Sequence, residues 1–80
     1  MIVFKKTSTD ESNFLIYDFG GTGFYGVVYQ TDPGKGFEES GWDFRDTENL
    51  MNENKAIIVY ICTELLPKEK YPDRFTYMTH

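Results

Sequence analysis

Gly21, Gly23 and Gly26 stand at the spacing G-x-G-x-x-G, and Val28 extends the pattern to G-x-G-x-x-G-x-V. Such glycines can let a β-hairpin close over nucleotide phosphates, because a residue without Cβ brings its backbone N–H groups near an anion. Asp18-Phe19-Gly20 directly precedes them and spells a metal-binding tripeptide of phosphoryl-transfer enzymes. The order excludes that chemistry: in a kinase the D-F-G element lies far downstream of the glycine loop. A catalytic-loop motif is also missing, and 80 residues cannot form two lobes. A dinucleotide site fails differently. Val27-Val28-Tyr29 continues as strand, so no helix N-terminus would face a pyrophosphate. The glycines are therefore expected to make a hairpin turn and a bulge. A small-ligand or nucleotide site on the hairpin 20–26 is the alternative.

Other catalytic sets are thin. His80 is the only histidine and the last residue of the sequence, a poor place for a positioned base. Cys62 is the only cysteine and lies in an apolar run, with no histidine near it in sequence. One Cys and one His do not supply a zinc site. Asp32, Glu38, Glu39 and Asp43 do not match the alternating spacing of a calcium loop. The sequence thus points to no catalytic residues, no metal and no cofactor, and to a protein that is not an enzyme.

The charge is the more informative feature. Residues 32–53 hold seven acids and two bases, a balance of −5, and the remaining residues balance to zero. Phe37, Trp42 and Phe44 lie among those acids. Aromatic anchors inside a field of carboxylates suit recognition of a basic surface. The candidate partner-binding residues are Phe37, Glu38, Glu39, Trp42, Asp43, Asp46 and Glu48. Such an array can occupy a groove that otherwise holds phosphates. The expected function is a small acidic binding protein that inhibits or neutralises a basic partner, a nucleic-acid-handling enzyme or a toxin. Phage-encoded inhibitors and immunity or antitoxin proteins are the classes with this size and charge. The competing explanation is a solvated acidic face that only keeps a small protein soluble. Tyr17, Tyr25 and Tyr29 could stack single-stranded bases, but a sequence pI near 4.6 opposes direct nucleic-acid binding.

The elements that must position these residues follow from local patterns. Residues 2–7, 13–19 and 24–31 read as three strands of an antiparallel meander, rich in aromatic and β-branched side chains. Asp32-Pro33-Gly34-Lys35-Gly36 reads as a turn. Residues 42–54 read as one short helix, with a capping box at Ser40–Asp43. Residues 55–63 read as a central strand, apolar on both faces, and residues 74–79 as an edge strand. The expected fold is α+β in the order β-β-β-α-β-β: a small antiparallel sheet with one short helix packed on one face, forming a single compact domain over 1–80. The longest apolar run, Ala56 to Cys62, is too short to span a membrane. One unpaired cysteine and no visible signal peptide point to the cytoplasm. Self-association through the edge strand is a further possibility.

Overall fold

The computed structural model describes residues 1–9, 15–31 and 41–78. Its elements are β1 (Ile2–Thr9), β2 (Leu15–Gly21), β3 (Phe24–Gln30), β4 (Trp42–Glu48), a helix α1 over residues 52–68, and β5 (Arg74–Tyr77). All neighbouring strands are antiparallel, in the spatial order β4-β3-β2-β1-β5. The protein is an α+β fold with the element order β-β-β-β-α-β. The first three strands and the last one stand where the sequence places them, although the last ends at Tyr77; Asn13, Phe14, the expected turn at 32–36, Ser40 and Thr79 lie outside the described residues.

The middle of the chain is where the structure corrects the sequence reading. Residues 42–48 form a strand instead of the start of a helix. Trp42 and Phe44 point to the core while Asp43 and Arg45 point away, a period of two that pairs with β3 through Gln30↔Trp42 and Val28↔Phe44. Residues 55–63 are helical, not a strand. Ile58, Cys62 and Leu66 stand four apart and are fully buried, and Ile57, Ile61 and Leu65 form the adjoining row. That spacing turns one apolar stripe toward the sheet. The order β-β-β-α-β-β therefore gains a strand before the helix and loses one after it, and the helix is longer than expected.

Within α1 the stretch Ile61–Leu65 is π-helical, and Leu66 N–H bonds to the carbonyl of Ile61. Pro67 follows directly and has no N–H to donate. Its ring would press on the carbonyl of Thr63 in a regular helix, and the wider turn ahead of it relieves that contact.

The core lies between α1 and one face of the sheet. Ile2, Phe4, Tyr17, Phe19, Phe24, Val28 and Trp42 supply the sheet side. Phe4 stands at its middle, with ring centroids 6.2 Å from Tyr17, 5.9 Å from Phe19 and 6.5 Å from Phe75. Offset and edge-on rings at these separations add to the area they bury, so aromatic content compensates for a short chain.

The turn from α1 to β5 is fixed by polar contacts. Tyr17 Oη donates to the carbonyl of Pro72 at 2.7 Å, and Lys6 Nζ to that of Tyr71 at 3.1 Å. Lys70 and Tyr71 both adopt left-handed backbone angles there, φ 60° and 54°.

Candidate interaction surface

The helix covers one face of the sheet, and the strand registers fix what the other face presents. One row across it runs Asp43, Tyr29, Ile16; the next runs Arg45, Val27, Asp18, Lys5, Arg74; a third runs Glu48, Tyr25, Gly20, Val3, Thr76. Val3, Ile16, Val27 and Tyr29 are half-buried among their neighbours. Tyr25 is 58% exposed, more so than Tyr29, the other ring on this face. The face thus mixes aliphatic and aromatic side chains with an exposed carboxylate, Asp18, on the central strand and further charges at both edges.

The charges are unevenly placed. Asp43, Asp46 and Glu48 lie on β4 at one edge, and Lys5 and Arg74 lie on β1 and β5 at the other. Arg45 interrupts the acidic edge, but its guanidinium sits over the ring of Tyr29 at 5.6 Å. Its ion pair with Asp46, at 3.9 Å between exposed groups, contributes little. Asp46 occupies a bulge where the pairing shifts between Tyr25 and Val27, with φ 51°. The carboxylate of Asp43 accepts the N–H of Phe44 at 2.8 Å.

The sequence candidates are therefore distributed as follows. Asp43, Asp46 and Glu48 come together along one exposed edge. Phe37, Glu38 and Glu39 lie outside the described residues. Trp42 is 3% exposed and packs against Tyr17 and Tyr71, so the exposed anchor expected of it is corrected: its side chain belongs to the core. The aromatic beside the acids is instead Tyr25, with Tyr29 behind it. The alternation in Phe24-Tyr25-Gly26-Val27-Val28-Tyr29 carries that signal, since every second residue shares a face. Of the three tyrosines that could stack bases, Tyr17 is buried and only Tyr25 and Tyr29 lie on this face.

The glycine pattern has a structural explanation. Gly23 takes the left-handed angle of the hairpin turn, φ 83°. A Cβ on Gly26 would lie 2.7 Å from Cζ of Phe19 and 2.8 Å from Cγ2 of Thr47, and one on Gly21 would enter the ring of Phe24. These two glycines make room for core rings. Beside the hairpin, Thr22 and Phe24 join Met1, Ile2, Asn54 and Ile57 around a cavity of about 280 Å³. Cys62 is fully buried, and burial pushes its thiol far above the usual range, so it is not a nucleophile in this state. Among the described residues, no helix is long and apolar enough to cross a membrane.

Comparison of the chain with protein families, curated proteins and solved structures finds no match.

Proposed function

We propose that the protein is a non-catalytic, cytoplasmic binding module that occludes a basic protein partner through the uncovered sheet face and the β4 edge. The observation that carries this reading is the placement of Tyr25 and Glu48 opposite one another, with Asp43 and Asp46 on the same edge strand. Tyr25 and Tyr29 would supply rigid buried area, and the three carboxylates would steer and pair with Lys and Arg. A partner that handles nucleic acid fits best, because its phosphate-binding groove is already lined by bases. A phage-type inhibitor or an immunity-type neutraliser is the corresponding class of protein.

Recovery of partners from host lysate, at low and high salt, tests the reading. The Asp43→Lys/Asp46→Lys/Glu48→Lys protein should lose a basic partner that the native chain retains, while its melting temperature stays within a few degrees. Equal recovery by both proteins would sink the mechanism.

The cavity beside the hairpin favours a second reading, a site for a small amphipathic ligand held between Phe24 and Ile57 with Thr22 and Asn54 as polar contacts. It requires a ligand-dependent rise in melting temperature that is lost on Phe24→Ala, and a flat response across nucleotides and short amphipathic acids would dispose of it.

A further inference from the structure

The two edges of the sheet are not equivalent. On β4, the bond from Thr31 N–H to Gly41 O sets the alternation, so the N–H of Phe44 faces outward. The carboxylate of Asp43 takes that N–H, and the bulge at Asp46 bends the strand beyond it. Both devices stop another strand from pairing there. β5 has neither. The bond from Lys6 N–H to Asp73 O continues the β1·β5 ladder, so residues 73, 75 and 77 direct their backbone groups to β1. Arg74 and Thr76 then direct theirs outward, and Met78 continues the alternation at 64% exposure. Within β5 there is no Pro, no bulge and no acid.

We infer that β5 pairs with β5 of a second copy of this chain, antiparallel, about a two-fold axis at Thr76. The outward-directed residues select the centre. An axis at Phe75 or Tyr77 would put a non-bonded pair on the two-fold and engage only two of Arg74, Thr76 and Met78, whereas an axis at Thr76 engages all three. Arg74 would set two guanidiniums face to face. Met78 would bring only the last residues of β5 into the pair. Thr76 sits opposite the second copy's Thr76 in a hydrogen-bonded pair. Phe75 falls opposite the second copy's Tyr77 at the close, non-bonded spacing, and both side chains already lie on the helix face beside the core. Arg74 falls opposite the second copy's Met78.

The result is a continuous ten-stranded sheet with both helices on one side. The two uncovered faces share the opposite side, and the β4 edges lie at the far ends. The face proposed to bind a partner is left free, so the dimer would present it twice and gain from bivalence. The inference does not depend on that function.

The test is sedimentation equilibrium of the full chain, from about 5 µM to about 500 µM. The mass should rise with concentration from 9.4 kDa toward twice that value. Thr76→Pro removes only an outward N–H, which an edge strand tolerates, and should hold the mass at one chain with an unchanged far-UV spectrum. Thr76→Lys and Thr76→Glu should each be monomeric alone and form a one-to-one dimer when mixed. A native chain that is monomeric throughout, or a dimer that survives Thr76→Pro, would overturn the proposal, as would Lys and Glu variants that fail to recombine.

Discussion

Tyr17 joins the core to the turn before β5, and it makes that junction sensitive to alkali. Its side chain is fully buried and its hydroxyl donates to the carbonyl of Pro72. Burial, and next the nearby Asp73 carboxylate, push that hydroxyl up to about 12 from an ordinary value of 10.0. The folded chain therefore holds the proton more tightly than the unfolded one. The stabilisation is complete below about pH 10 and is lost as pH rises toward about 12. Replacing Tyr17 by Phe should cost roughly 1–2 kcal/mol at neutral pH, because the Pro72 carbonyl loses its donor. It should also flatten the decline between those two pH values. Burial shifts Cys62 in the same direction, but that residue is present in both proteins and cancels in the comparison. Urea denaturation at a series of pH values reads both effects, and equal slopes for the two proteins would contradict this assignment. Gly26 carries the complementary lesson. Its place in a phosphate-loop pattern is accounted for by the Phe19 ring that a Cβ would strike.

The helix 52–68 accounts for most of the distance between sequence expectation and structure. The run Ala56–Cys62 is β-branched and continuously apolar, which a buried strand and a buried helix share. The rows Ile58/Cys62/Leu66 and Ile57/Ile61/Leu65 settle it, but they run past Thr63 and Glu64 to the edge of Pro67, where a proline reads as a stop. The π-helical turn allows the helix to continue to that proline. Ala56 is exposed in the helix interior, so Ala56→Gly should destabilise the protein by about 1 kcal/mol in chemical denaturation. A strand there would carry a similar glycine cost, so Ala56→Thr discriminates: it should cost about 0.5 kcal/mol in the helix, whereas a strand would gain from it. β4 was illegible for another reason: an edge strand has one pairing partner, and Trp42 and Phe44 give only two inward positions before the bulge. The acids of the candidate surface were legible as a cluster, and three of them do share an edge. Which aromatic accompanies them was not, because Trp42 turns inward only once residue 42 is on a strand. The hairpin strands β2 and β3 and the turn at Gly23 were legible from alternation and turn chemistry alone, whereas the room that Gly21 and Gly26 leave for the Phe24 and Phe19 rings was not.

Seen whole, the molecule is a one-layer sheet with a helix on one side and, on the other, aromatic and aliphatic side chains interspersed with charges. A chain this short buries a modest share of its surface, and here the second sheet face stays uncovered by the described residues. Charge is arranged across that face from an acidic β4 edge to a basic β1/β5 edge, which orients any charged partner before contact. Tyr60, 49% exposed on the outer side of the helix, marks the opposite surface and serves as its control. The most direct measurement places a photo-reactive benzophenone side chain at position 25 in one protein and at position 60 in another, then irradiates each in host lysate. A covalent adduct with one basic protein, formed from position 25 and weakened by high salt, is the expected result. Adducts from position 60 alone, or none from position 25, would contradict the assignment of the uncovered sheet face as the binding surface.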